Sequence, residues 1–180
     1  MKWNAPNILT IIRIILIPFF VLFYFTGLPH WNIWAAIIFI VAAVTDWLDG
    51  YLARKNNQVS NFGKLWDPIA DKLLVLAALL LLMDWGKVGF IAVLILEARE
   101  LLIGGMRSVA ASKGVVIAAD KSGKLKTVVQ FIAIILLMLN DWPLMFVPVS
   151  IGTILIWVSV ALSVYSCIEY FVKNRSVFAD

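Results

Sequence analysis

The sequence has one cysteine, one histidine and few charges. Cys167 has no second thiol to pair with, so no intrachain disulfide holds the fold. It lies in an apolar run, where a small buried side chain is expected. His30, the sole histidine, falls in the turn Leu28-Pro29-His30-Trp31-Asn32, away from the acidic residues considered below. That removes histidine as a general base and as a metal ligand. Charged residues make up only 14% of the chain and hydrophobic ones 63%, against roughly 45–50% apolar in soluble domains. Water would not solvate such a surface, so a bilayer is the expected solvent. No polar stretch is long enough for a separate soluble domain, and there is no low-complexity segment. No internal repeat is visible either, which speaks against the inverted-repeat transporters. The net charge is +4; in a membrane chain its placement matters more than its sum, and no nucleic-acid partner is expected.

What is present is apolar runs of membrane-spanning length. They predict an all-α integral membrane protein with six transmembrane helices, over about 7–27, 33–55, 63–83, 88–112, 123–139 and 145–171, in a single domain covering residues 1–180. The first run is too long for a signal peptide and lacks a small-residue cleavage site before Gly27, so no cleavage is expected. Six spans put both termini on one side. That side also takes the loops at 55–62 and 113–122 and every Lys and Arg except Lys87, counting helix ends. The positive-inside rule makes it the cytoplasmic side. Arg13, one turn inside the first helix, either snorkels to the interface or faces a polar cavity. Asn7 and Thr10 either cap that helix or reach a headgroup site. The last helix contributes only hydrophobic length.

Four of the acids stand together. Asp46 and Asp49 are three residues apart on the second predicted helix, and Asp67 and Asp71 four apart on the third, so each helix offers two carboxylates on one face. Counted from the helix ends at 1.5 Å per residue, Asp49 and Asp67 lie about 7 Å deep and Asp46 and Asp71 about 12–13 Å. The matched depths predict one cluster of four carboxylates just inside the cytoplasmic interface. Each buried charge costs several kcal/mol unless neutralised, so protons or cations must share the site. With only hard oxygen ligands on offer, Mg²⁺ or Mn²⁺ is the expected cation, and four carboxylates can hold two such ions against a pyrophosphate. With no histidine, removal of an alcohol proton falls to a carboxylate. Asp71, deep and among like charges, suits that task better than Asp67. Gly50 and Ala53 lie on or beside the acidic face, where small residues serve either ligand approach or helix packing. Arg54 at the helix end suits a phosphate or a lipid headgroup.

A second constellation is basic. Arg99 and Arg107 are two turns apart on the fourth helix, and Lys124 opens the fifth. Arg99 is too deep to snorkel and needs either an anion or internal pairing with Glu97 or Glu100. Lys113, Lys121 and Lys126 read as ordinary cytoplasmic loop charge. An acidic metal cluster with a basic pocket suggests two substrates, one a pyrophosphate and one a small anion. A cation-coupled transporter is the competing class, but its acids would continue toward the far side, and these do not.

The series Asp46-x2-Asp49-Gly50-x2-Ala53-Arg54-x8-Gly63-x3-Asp67-x3-Asp71 resembles the signature of the CDP-alcohol phosphotransferases, with every fixed position filled. Pro6-Asn7-x-Leu9-Thr10-x2-Arg13, Arg99-Glu100 with Arg107, and Gly123-Lys124-x-Lys126-Thr127-x2-Gln130 are similar to the branch of bacterial phosphatidylglycerophosphate synthases. The likeness covers roughly residues 5–135. It implies transfer of the phosphatidyl group of CDP-diacylglycerol to sn-glycerol 3-phosphate, giving phosphatidylglycerol phosphate and CMP. It further implies two divalent ions on Asp46, Asp49, Asp67 and Asp71, with Asp71 also the general base. Gly50, Ala53, Arg54, Asn7 and Thr10 would face CDP-diacylglycerol, and Arg99, Arg107 and Lys124 would hold the acceptor's phosphate. Such enzymes are commonly homodimers in the bacterial cytoplasmic membrane, with the site facing the cytoplasm. A different acceptor, such as inositol phosphate, phosphatidylglycerol or serine, is the alternative within the family.

Overall fold

A computed structural model describes residues 5–55, 61–115, 117, 121–144 and 148–175. Six α-helices follow one another, α1 Ala5–Phe25, α2 Trp31–Lys55, α3 Asn61–Asp84, α4 Phe90–Ser112, α5 Lys121–Met138 and α6 Ile151–Lys173, with no strand among the described residues. They fall into two compact units. One comprises Met1–Leu82 with Met138–Asn140, the other Met83–Leu137 with Asp141–Asp180.

In the first unit α1 packs along α2. The buried stripe of α1 is Thr10, Arg13, Ile17 and Phe20, at steps of three and four, and that of α2 includes Ala35, Ala36, Phe39 and Ala42. The small alanines leave room for the larger side chains of a partner. The outward faces are apolar instead, with Ile12, Ile15, Phe19 and Leu22 on α1 and Ile37, Ile40 and Val44 on α2 all exposed. α1 thus hides an arginine and shows its isoleucines, the reverse of the pattern of a helix on a water-soluble surface. Arg13 is 1% exposed and partnered, so the snorkelling alternative is wrong. The turn between the helices uses left-handed backbone at Gly27 and His30, and His30 is exposed. Its carbonyl accepts from Ile33 N–H at 3.0 Å, so α2 starts at Trp31, two residues before the expected position.

In the second unit α4 packs along α6. α4 stops where Gly114 turns left-handed (φ +76°). Val115 N–H reaches back to Ala110 C=O at 2.9 Å and Gly114 N–H to Ala111 C=O at 3.0 Å, the paired bonds of a Schellman end. α6 begins at Ile151 rather than near 145. Ser150 is its N-cap, accepting from Thr153 N–H at 3.2 Å, and the Asp141 carboxylate accepts from Gly152 N–H at 2.6 Å. Two orphan amides are satisfied there, which fixes the start of the helix after Pro148. A Cβ on Gly152 would stand 2.7 Å from Leu137 Cγ and 2.9 Å from Asp141 Oδ1, so only glycine admits the carboxylate.

By length and composition α6 is long and apolar enough to cross a membrane, and shorter apolar stretches run over Thr10–Phe25 and Trp31–Thr45. In α3 and α4 the apolar runs are interrupted by charge: Lys64, Asp67, Asp71 and Lys72 on the one, Glu97, Arg99, Glu100 and Arg107 on the other. Those interruptions mark two candidate clusters, an acidic one in the first unit and a basic one in the second.

Candidate active site

The acidic motif sits on continuous helix at both halves. Asp46, Asp49, Gly50, Ala53 and Arg54 lie within α2, and Gly63, Asp67 and Asp71 within α3. The helical register therefore sets Asp46 and Asp49 one turn apart, and likewise Asp67 and Asp71. Asp71 is half-buried and partnered, and Ala70 beside it is fully buried. The connecting residues 56–60 and the side chains of Asn7, Asp46, Asp49, Gly50, Ala53, Arg54 and Asp67 lie outside the described residues. Among the described residues no three His, Cys, Asp or Glu side chains converge. Thr10 lies five residues inside α1, which starts at Ala5, so it does not cap the helix; it is fully buried and partnered. The donor chemistry of the motif fits a divalent cation: four oxygen ligands on two regular helices, with no competing sulfur or imidazole.

The basic constellation is held by side-chain hydrogen bonds. Arg99 Nη1 donates to Glu100 Oε1 at 2.8 Å, and Lys126 Nζ reaches the same oxygen at 3.0 Å. Glu100 thus sits between two cations. Arg99 Nη2 goes on to Ser166 Oγ at 3.1 Å. Arg107 Nε donates to Tyr170 Oη at 3.3 Å, and its guanidinium lies 5.6 Å from the centre of the same ring. Glu169 accepts from Ser122 Oγ and from Lys173 Nζ, each at 2.6 Å, tying the first turn of α5 to α6. Gly123 makes the Arg99 position possible, since a Cβ there would lie 2.9 Å from Arg99 Nη2.

Two sequence expectations change here. Lys126 is not loop charge. It is 2% exposed and lies on the buried stripe of α5 with Gln130, Ala133, Ile134 and Leu137. Lys124, two residues earlier, is exposed on another face. Nor is α6 mere hydrophobic length. Ser159, Ser163, Ser166 and Tyr170 form a buried polar stripe along it, at steps of four, three and four. That spacing was visible in the sequence as a regular line of hydroxyls through an apolar helix. The internal pairing of Arg99 with Glu100 is present, but it leaves capacity over: Arg99 Nε, Gln130 Nε2 and Ser163 Oγ are buried without a hydrogen-bond partner. Cys167 is half-buried and packs against Ile103, Met106 and Tyr170.

The acidic motif of α2 and α3 offers oxygen donors alone, and the two arginines of α4 bond to hydroxyls of α6. Residues 3–165 match the CDP-alcohol phosphatidyltransferase family. The chain belongs to that family. Three relatives share nearly their whole length with it. The CDP-diacylglycerol–glycerol-3-phosphate 3-phosphatidyltransferase of Bacillus subtilis is 41% identical over 184 residues, covering 96% of this chain and 95% of the relative. The proteins of that name from Wigglesworthia glossinidia brevipalpis, at 37%, and Haemophilus influenzae, at 38%, span 100% of this chain and 100% and 98% of their own lengths. CDP-alcohol phosphatidyltransferases are membrane-associated phosphotransferases and generally depend on divalent metal. The acidic motif and the basic cluster both fall within the matched span.

Proposed function

We propose that the protein transfers the phosphatidyl group of CDP-diacylglycerol to sn-glycerol 3-phosphate, releasing CMP and forming phosphatidylglycerol phosphate. The observation that carries the acceptor is the cluster Arg99–Glu100–Lys126 with Arg107. Three cations on regular helices, one of them an arginine held by a neutral hydroxyl alone among its hydrogen bonds, favour a phosphorylated acceptor. Serine would not call for so many. The names of relatives aligned over nearly their full length agree with this choice.

In this reading Asp46, Asp49, Asp67 and Asp71 would hold two Mg²⁺ or Mn²⁺ ions, which would supply positive charge against the pyrophosphate and the CMP leaving group. Asp71 accepts the proton of the acceptor's hydroxyl as that oxygen bonds to the β-phosphorus, and the bond from that phosphorus to the CMP oxygen breaks. Gly50, Ala53, Arg54 and Asn7 face CDP-diacylglycerol, while Arg99, Arg107 and Lys126 hold the acceptor's phosphate; Thr10, fully buried, and Lys124, on another face of α5, stand outside these contacts. Catalysis is then mainly positioning and electrostatic stabilisation. The chain works as one domain and a homodimer in a bacterial cytoplasmic membrane, with six spans, both termini in the cytoplasm and the site opening there. Large apolar side chains pointing outward from every helix support the spans, among them Phe19, Ile37, Leu73, Leu101, Val128 and Trp157.

The deciding experiment is an acceptor screen with purified protein and CDP-diacylglycerol, reading CMP. Release with glycerol 3-phosphate, and not with inositol phosphate, phosphatidylglycerol or serine, is expected. CMP release with another alcohol and none with glycerol 3-phosphate would sink the assignment.

A further inference from the structure

We propose that Ser166 and Tyr170 of α6 are positioning residues that gather Arg99 and Arg107 onto one acceptor phosphate. This rests on the function proposed above and adds a helix to the acceptor site that the motifs do not include.

Three observations carry it. The first is the chemistry of the anchors. Ser166 and Tyr170 are buried hydroxyls, 1% and 2% exposed. The Ser166 hydroxyl spends its proton on Ser163 C=O at 3.1 Å, so its lone pairs are what it offers Arg99. A carboxylate in either place would cancel the arginine's charge; a hydroxyl fixes the guanidinium without doing so. The one carboxylate on Arg99, that of Glu100, is shared with Lys126, so that set keeps a net positive charge for an anion.

The second is the spacing. Arg99 and Arg107 stand eight residues apart on α4, about 12 Å along the axis, whereas Ser166 and Tyr170 are four apart on α6, about 6 Å. α4 and α6 pack side by side and the pairs run in the same order along both. The anchors therefore lie closer together than the backbone positions that carry the arginines. They draw two guanidinium groups toward the span that one phosphate can bridge with hydrogen bonds on either side.

The third is rigidity. Tyr170 shares a buried cluster with Ile103 and Met106, against which Ile117 and Cys167 pack, and its ring also lies under the Arg107 guanidinium. The hydroxyl cannot swing without disturbing that core.

The test uses the full-length protein in detergent or bilayer, with each substrate varied against saturating amounts of the other. Tyr170→Phe keeps the ring and its packing; Ser166→Ala removes only one oxygen. Each is expected to raise KM for glycerol 3-phosphate about 5- to 12-fold, the upper half of what one ordinary intramolecular hydrogen bond is worth. KM for CDP-diacylglycerol and kcat should stay within about twofold of the parent on the same argument. Ser166→Thr, which restores a hydroxyl, should bring KM most of the way back. Adding Tyr170→Phe to Arg107→Ala should change nothing further, because the anchor acts only through the arginine. An unchanged acceptor KM in both single variants overturns the proposal. So does an equal rise in both KM values, which marks general loosening of the α4–α6 contact. Parent protein that releases CMP with another phosphorylated alcohol but not with glycerol 3-phosphate overturns the acceptor assignment instead, and the same variants then test the anchors with that alcohol.

Discussion

At the scale of single residues, chemistry and charge placement are separable. Asp71 is half-buried on α3, and the chain's one histidine is exposed in the α1–α2 turn; the proposed reaction therefore assigns the base to Asp71. Asp71→Asn is nearly isosteric and is expected to abolish CMP release, at least ~10²-fold, while size-exclusion profile and helicity stay unchanged. Turnover within tenfold of the parent would take Asp71 out of the base role. Arg107 is bonded to an uncharged oxygen, so its removal strands no buried carboxylate. Arg107→Ala should therefore raise KM for glycerol 3-phosphate roughly 10- to 100-fold, as loss of a charge-assisted contact to phosphate does. KM for CDP-diacylglycerol should barely move; parallel losses on both substrates would argue against a separate acceptor pocket. Lys126 and Arg99 differ from Arg107 in this respect. Both lean on Glu100, so substituting either disturbs a shared network rather than one contact.

At the scale of the helix, the ends and faces decide more than the runs. The apolar runs predicted six helices, and six are found among the described residues, because a 20-residue hydrophobic stretch needs no tertiary information to be recognised. What lay beyond such patterns was long-range. The start of α6 depends on Asp141, eleven residues back from the amide it holds, and on a serine that composition alone does not single out. Lys126 and Lys124 are equivalent by sequence distance from the loop, yet the packing of α5 buries one and exposes the other. The hydroxyl stripe of α6 was legible as a period, but its meaning needed the arginines of α4 on the other side. The side chains of the acidic motif, by contrast, were approached only through spacing, and helical backbone at those positions keeps that spacing. The α6 start yields a prediction of its own. Gly152→Ala would press a methyl group against Leu137 and the capping carboxylate and should destabilise the fold by about 1–3 kcal/mol. Thermal unfolding in detergent checks it, and a midpoint equal to that of the parent would remove Gly152 from this role.

At the scale of the whole molecule, the family assignment, the oxygen-only motif and the inside-out helices point to one machine in one setting. Prolonged treatment with a chelator should abolish CMP release, and Mg²⁺ or Mn²⁺ should restore it more fully than Ca²⁺, since catalysis at a pyrophosphate favours the smaller, octahedral ions. Activity surviving exhaustive chelation would contradict the two-ion site. The topology is open to impermeant thiol labelling in a Cys167→Ser background. Lys113→Cys and Lys87→Cys should react from opposite sides of the membrane, and labelling from the same side would rule out the six-span arrangement. The outward isoleucines and phenylalanines of α1 also carry a kinetic consequence. A protein wrapped in lipid on those faces meets its two substrates in different dimensions. The nucleotide lipid is counted as a mole fraction of the surface and falls when inert lipid is added, while the acceptor is counted in moles per litre and does not. Diluting the membrane at fixed total volume should slow the enzyme as if one substrate were being withdrawn, leaving the other at full strength.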